Sequence, residues 1–363
     1  MIARAKSLLA TVSAVAIALG MSAAIQPAHA ATSAETLFSK LATLPEAERM
    51  KQIVAGTKKE GQLVIVPSYR GKLMVKHTRL FMKRYPWLKV DFADMNTEAA
   101  TERLIAEETA GRHITDTIGV TIPDMIHLLK RNLAAKYPTP ATKTILPRYK
   151  KFIDQKNRWT PWYWSEHGIS YNTKIIKEAD APKTYQDLCN PKYKGQVSFD
   201  PGEPKWLIGM YLLFGEEKFK EWLQCIGKND PVIQRGHTLR MTLMLAGDHA
   251  IQGDNFLYRG VLAYTKNPKK APFKAVWTAP ILARAGVNVI NPHATHPNGA
   301  ALWTDWLLSD QSQKFVHSIF RGPLATKHPY ITDDTDLFVY GLVSVEITRK
   351  VSDYWIKYVG KNR

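Results

Sequence analysis

Between residues 62 and 129 short apolar runs alternate with amphipathic stretches, and this alternation constrains the fold more than any other feature. Residues 34–61 read as one or two amphipathic helices ending at Lys58-Lys59-Glu60-Gly61, where the glycine is a natural helix stop. Leu63-Val64-Ile65-Val66 is then a continuous apolar run, as expected of a strand buried on both faces. After a turn at residues 67–71, Leu73, Met74, His77, Leu80 and Phe81 fall on one helical face, and Tyr85-Pro86 stops that helix. Residues 88–92 form a second strand. Thr97 is placed to cap a helix over 98–110, with Gly111 as its stop. Residues 117–120 form a third strand, and Thr121 and Asp124 have the spacing of a capping box that opens another helix.

Strands alternating with amphipathic helices imply an α/β fold with a mainly parallel sheet flanked by helices. In such sheets ligands bind beyond the carboxyl ends of the strands, where helix N-termini point. Here those edges are Ser68-Tyr69-Arg70, Met95-Asn96-Thr97 and Thr121. No Gly-x-Gly-x-x-Gly follows the first strand, so no dinucleotide is expected. A Pro- and aromatic-rich stretch at 137–164 reads as less regular. A second α/β pattern follows, with strands near 168–171, 196–199 and 250–253 and helices near 206–214, 216–226 and 238–246. Two similarly built halves joined by an aromatic-rich crossing predict two lobes around a cleft.

The N-terminus has the pattern of a secretory signal peptide: Arg4 and Lys6, an apolar stretch from Leu8 to Leu19, and Ala28-His29-Ala30. Cleavage is expected after Ala30, leaving a soluble protein in the periplasm. Lys and Arg total 50 against 32 acids, a net charge of +18, and removing residues 1–30 leaves +16. Export removes nucleic acid as the explanation of that charge and leaves an anionic surface or small anions. Cys189 and Cys225 are the only cysteines. In an oxidising compartment they most simply pair, the alternative being two buried free thiols.

No catalytic or cofactor motif emerges: there is no His-Glu-x-x-His, Cys-x-x-Cys, Walker A loop or Gly-x-Ser-x-Gly. His293 and His296 could form a two-histidine metal site, but Pro292 and Pro297 argue for a structured turn. Glu166-His167 could be an acid/base pair, although neighbours in a strand face opposite ways. Trp162, Tyr163 and Tyr258 are the candidate aromatic walls of a cleft. Arg70, at a strand end beside a helix N-terminus, could clamp a carboxylate or phosphate.

Five segments, in order, resemble the extracellular solute-binding proteins of bacterial ABC transporters, most closely their ferric-iron-binding-like branch. Lys59-Glu60-Gly61-Gln62-Leu63-Val64-Ile65 resembles that family's opening strand. Phe81-Met82-Lys83-Arg84-Tyr85-Pro86 and Tyr171-Asn172-Thr173-Lys174 with Asp180-Ala181-Pro182-Lys183 are similar to its next two strings. Pro191-Lys192-Tyr193-Lys194-Gly195 and His296-Pro297-Asn298-Gly299-Ala300 with Asp305-Trp306-Leu307-Leu308-Ser309 complete the series.

The resemblance implies a two-lobe type II periplasmic binding fold. Residues 31–166 plus 276–325 would form the N-terminal lobe, and 167–275 plus 326–363 the C-terminal lobe. That division puts both cysteines in one lobe and strengthens the expected disulfide. It also implies a monomeric binding protein without a cofactor and without enzymatic activity, which captures a small solute and delivers it to an ABC permease in the inner membrane.

Iron-binding members carry adjacent metal-ligating tyrosines where this chain has Asp254-Asn255-Phe256-Leu257-Tyr258. Asn255 and Tyr258 match, but Leu257 supplies no oxygen donor. An organic or phosphorus-containing anion is therefore expected ahead of ferric iron; a periplasmic hydrolase or sensor is the remaining alternative. The expected ligand contacts are Ser68, Tyr69, Arg70 and Thr121 from one lobe and Gly202, Asn255 and Tyr258 from the other.

Overall fold

The computed structural model describes residues 34–200 and 204–360. The expected signal peptide and its cleavage site lie outside them. Among the described residues no helix is long and apolar enough to cross a membrane.

Eleven strands and twelve α-helices are found among the described residues. The first run is α1 (Ala34–Ala42), α2 (Glu46–Glu60), β1 (Gln62–Val66), α3 (Gly71–Arg84), β2 (Lys89–Phe92), α4 (Thr97–Thr109), β3 (Thr117–Thr121) and α5 (Met125–Leu129). The middle run is β4 (Thr160–Asn172), β5 (Val197–Phe199), α6 (Pro204–Phe214), α7 (Glu216–Lys228), β6 (Val232–Ile233), α8 (His237–Ala246), β7 (Ile251–Phe256), α9 (Leu257–Lys266) and β8 (Phe273–Ala275). The last is β9 (Ile281–Ile290), α10 (Pro297–Leu307), α11 (Asp310–Ser318), β10 (Gly322–Pro323), β11 (Leu337–Val339) and α12 (Val345–Tyr358).

Local signals explain most boundaries of the first run. Gly61 ends α2 at φ 68°, where a side chain would be strained, and its N–H bonds back to Thr57 O at 2.9 Å. The cap of α4 is Asn96 rather than Thr97: the Asn96 side chain accepts from Ala99 N at 2.8 Å, and Thr97 is the first helical residue. At Thr121, Asp124 Oδ2 accepts from the residue's own N–H (3.0 Å) and hydroxyl (2.7 Å), which fixes the turn into α5.

The sheet order is β2-β1-β3-β9-β4-β7-β5-β6. Pairing is parallel within β2-β1-β3 and within β7-β5-β6. The two long strands between these sets, β4 and β9, are antiparallel to each other, and each is antiparallel to its outer neighbour. A chain that passes directly from one half to the other needs no βα crossover, so it can pair antiparallel. Residues 160–164 are thus strand, where the Pro- and aromatic-rich composition suggested irregular chain. Both faces of β4 are buried, so the period-two pattern that marks a half-exposed strand is missing.

Two apolar cores flank this arrangement. One gathers Phe38, Ile53, Leu63, Phe81, Leu104, Trp303 and Trp306; the other gathers Phe199, Trp206, Phe219, Trp222 and, from α12, Val351 and Trp355. Cys189 and Cys225 are disulfide-bonded, with Cα atoms 5.5 Å apart, and both sit against the second core.

Candidate functional site

A cavity of about 390 Å³ lies between the β1/β3 edge and the β7/α8 edge, floored by β4 and β9. Helix starts frame it: Arg70 precedes α3, Asn96 and Thr97 open α4, Gly236 and His237 open α8, and Phe256 precedes α9. Helix N-termini present N–H groups and partial positive charge, which suits a negative ligand. Two glycines let backbone and ring come close enough to form the floor. A Cβ on Gly286 would stand 1.9 Å from the Tyr163 ring, and one on Gly119 would stand 2.3 Å from Ser68 N.

Of the residues expected as contacts, Ser68, Tyr69, Arg70, Thr121 and Tyr258 line this cavity. Ser68 Oγ and Tyr69 OH are buried and make no hydrogen bond among the described residues. Burial pushes the Tyr69 phenol well above its ordinary value. Arg70 is exposed and paired with Asp94 at 3.3 Å, and Asp94 also accepts from Gly71 N at 2.9 Å, so that helix start is already satisfied. Asn255 stands behind the wall: its Nδ2 donates to His237 O (3.1 Å) and Gln252 Oε1 (2.5 Å), and its Oδ1 accepts from Phe256 N. It fixes the start of α8 to the end of β7. Gly202 lies outside the described residues. Tyr163 lines the cavity, but Trp162, the other aromatic candidate on that strand, points into the core. It stacks on His77 with centroids 5.0 Å apart, because neighbours on β4 face opposite ways.

The strongest charges of the cavity had no motif to announce them. Arg259, Arg284 and Arg321 line it together with Lys205. Arg321 Nη1 donates to Ser165 Oγ at 2.5 Å and Nη2 to Tyr258 OH at 3.0 Å. Its guanidinium also lies 4.5–5.6 Å from the ring centres of Tyr258, Tyr69, Phe256 and Tyr163. A signal for Arg284 was present: it is one charged residue inside the apolar run of β9. Arg321 sits in a short connection before β10 with no periodicity to single it out.

Below Arg321, Glu166 is fully buried. Its Oε1 accepts from Tyr258 N at 2.8 Å and from the Tyr330 hydroxyl. Burial raises this carboxyl to about 7 against those hydrogen bonds. His167 points elsewhere, onto the Phe256 ring at 4.1 Å, so the two neighbours do not form an acid/base pair.

Lys205, from α6, reaches across the cavity to Glu98 Oε1 (2.5 Å), Thr97 Oγ1 (3.0 Å) and Asp124 Oδ1 (2.9 Å). Burial would raise the Asp124 carboxyl, but the Lys205 ammonium beside it holds it below its ordinary value. His293 and His296 do not converge: His296 Nδ1 meets Asp116 Oδ2 at 2.8 Å, whereas His293 Nδ1 meets Glu108.

A cavity between two halves of a mixed sheet, spanned by two continuous strands and ringed by helix starts, defines a two-lobe solute-binding fold of type II. Residues 123–336 match the family of bacterial extracellular solute-binding proteins, and the chain belongs to it. No protein of curated function matches the sequence significantly. Solved structures share the fold. Iron-bound HitA from Pseudomonas aeruginosa superposes with a TM-score of 0.70 at 16% identity, over 82% of this chain and 99% of that one. AfuA from Actinobacillus pleuropneumoniae, a periplasmic binding protein with fructose-6-phosphate bound, gives 0.65 at 18%, over 82% and 98%. The substrate-binding protein of an ABC transporter from Agrobacterium tumefaciens gives 0.69 at 11%, over 82% and 94%.

Proposed function

We propose that this chain is the periplasmic receptor of an ABC importer and that it captures a small phosphorylated or comparably anionic organic solute. The observation that carries the reading is the convergence of Arg259, Arg284, Arg321 and Lys205 with several helix starts on one cavity. An anion there gains charge-assisted hydrogen bonds from guanidinium forks matched to phosphate or carboxylate. The cavity volume falls in the range of small-molecule sites. The fructose-6-phosphate held by one structural relative is of that chemical class.

In this reading the lobes exchange chain through β4 and β9, and these strands are the hinge on which the lobes close. Ser68, Tyr69, Thr121 and Tyr258 contribute hydroxyls, Arg321 the central charge, and Arg70 a peripheral one. The chain acts as a monomer that binds and releases its solute without transforming it, and the closed form docks on a membrane permease.

Thermal-shift and calorimetric screens with hexose phosphates, inorganic phosphate, dicarboxylates and ferric citrate test the solute class. A phosphorylated sugar is expected to raise the melting temperature, and X-ray scattering should show compaction on binding. A response to ferric citrate alone would replace this reading with iron transport. Three arginines facing a trivalent cation argue against that outcome, as does a Tyr69 phenol that resists ionisation.

Lys205 supplies a smaller test. Its contacts with Glu98 and Asp124 bridge the two sides of the cavity, so Lys205→Ala is expected to shift the ligand-free protein towards an open form. The cost to binding should be on the order of 1 kcal/mol, about fivefold in Kd. Scattering profiles identical to the parent's, with unchanged affinity, would remove Lys205 as a latch.

A further inference from the structure

Away from the cavity, three metal-ligating side chains meet on the surface. Glu108 is near the C-terminal end of α4, whose first residue, Thr97, lines the cavity. The two are eleven positions apart on the helix, about 16 Å along the axis. His113 follows α4 in the loop to β3, and His293 comes from the connection between β9 and α10. The ligand atoms of the three lie within 4.8 Å of one another.

The two imidazoles aim the same nitrogen at one carboxylate. His113 Nδ1 is 3.0 Å from both Glu108 oxygens, and His293 Nδ1 is 2.7 Å from Oε2. The carboxylate is fixed from behind: its side chain is only 7% exposed, and Asn291 Nδ2 donates to Oε1 at 2.6 Å. Asn291 also donates to Thr115 O and accepts from His293 N, while Thr295 Oγ1 donates to His113 O at 2.7 Å. The loops that carry both histidines are therefore held in register with the acid before any ligand arrives. A carboxylate ligand oriented by an amide is the usual arrangement behind a metal ion.

Two imidazole nitrogens and one carboxylate oxygen suit a borderline divalent ion such as Zn²⁺ or Cu²⁺, whereas Ca²⁺ and Mg²⁺ ask for oxygen donors. Tetrahedral zinc with bonds of about 2.0–2.2 Å needs donors roughly 3.3 Å apart. The two histidine–carboxylate separations need only to open by a few tenths of an ångström, and the two imidazole donors already lie within 4.8 Å of each other. Both histidines are exposed at the surface, which leaves an entry path and room for water as the fourth ligand.

We propose that Glu108, His113 and His293 form an accessory site for a divalent transition ion, Zn²⁺ foremost, which clips the end of α4 to the loops at 111–116 and 291–296. The site is independent of the solute cavity. Its donors come from residues 185 positions apart, so the ion joins segments that no local signal connects.

Calorimetric titration of ZnCl₂ into the untagged, chelator-stripped protein at pH 7.5 tests this. One ion per chain is expected, with a melting temperature about 4 °C higher at a hundredfold excess over Kd. His113→Gln should weaken binding at least tenfold, and His113→Ala/His293→Ala should abolish the thermal shift. Circular dichroism of both variants should match the parent, since the substituted side chains are exposed. Co²⁺ should give visible absorption in the parent and none in the double variant. Zinc binding of equal stoichiometry and affinity in parent and variants, or none in the parent up to about 1 mM, would overturn the site. A phosphate or sugar-phosphate titration should be unaffected by either variant, which keeps this test separate from that of the cavity.

Discussion

Arg321→Met is expected to raise the Kd for a bound hexose phosphate about 100-fold while leaving the ligand-free protein as stable as the parent or more so. The guanidinium is held by two hydroxyls, Ser165 Oγ and Tyr258 OH, and by four ring faces. No described carboxylate lies within ion-pair distance of it, and Glu166, an acid whose field it feels, is itself raised to about 7. The ligand-free protein thus keeps a partly desolvated cation without a full counter-charge. Replacing such a group by an apolar chain of similar volume is often neutral or stabilising. Methionine keeps the stem in contact with Tyr69 and Tyr163 and removes the charge.

A bound anion supplies the missing counter-charge. Removing one partner of a buried, hydrogen-bonded charge pair typically costs about 2–5 kcal/mol, and 100-fold in Kd corresponds to about 2.8 kcal/mol. Calorimetry and urea denaturation read the two quantities separately. An unchanged Kd would show that the anion does not meet Arg321. A parallel loss of stability and binding would make the residue a structural one. Arg70→Met is the control: Arg70 is exposed and already paired with Asp94, so its loss should cost no more than about threefold.

The fold was legible where local physics decides it. The apolar run 63–66, the Gly61 stop, the helix face carrying Leu73, Met74, His77 and Phe81, and the turn at Thr121 all have sequence signals that act within a few residues. The same logic located one rim of the cavity, because strand ends in an α/β sheet are where ligands go, and Ser68, Tyr69 and Thr121 are there.

Long-range geometry hid the rest. Only the end of strand β4 was marked as strand; its first half is buried on both faces and contains Pro161 beside a register shift, so neither period nor composition marks it. Arg321 reaches the cavity because β10 pairs with β4 at Trp164 and Tyr163. Nothing near residue 321 encodes that pairing. His293 was paired in sequence with His296, whereas in space its neighbours are Glu108 and His113. Asn255 shows the opposite error of emphasis: a polar residue at a family-like position serves the wall from behind rather than lining it.

Glu166 leads to a prediction about pH. Its carboxyl is fully buried and titrates near 7 in the folded protein, because burial outweighs the Tyr330 and Tyr258 hydrogen bonds and the nearby Arg321 charge. In the unfolded chain it titrates near 4.5. Between these values the folded protein holds a proton that the unfolded chain has lost. Stability contributed by this group is therefore complete below about pH 4.5 and falls as pH rises to 7, by about 1.4 kcal/mol per unit and roughly 3 kcal/mol in all. Glu166→Gln keeps Oε1 as acceptor for both partners and does not ionise. Its stability relative to the parent should accordingly improve by about 3 kcal/mol between pH 4.5 and pH 8, on top of an offset that does not vary with pH. His77 and His328, whose imidazoles burial lowers to about 3, destabilise both proteins equally in acid and cancel in the difference. Binding should follow the same group. An ionised Glu166 opposes an anion at Arg321, so the parent should bind a hexose phosphate more tightly at pH 6 than at pH 8, after correction for the ligand's own titration, and the variant should show no such dependence. Urea denaturation and calorimetry at four or five pH values measure both slopes. A stability difference that stays flat from pH 4.5 to 8 would mean that Glu166 is ionised throughout, and that the cavity floor carries a permanent negative charge beneath its arginines.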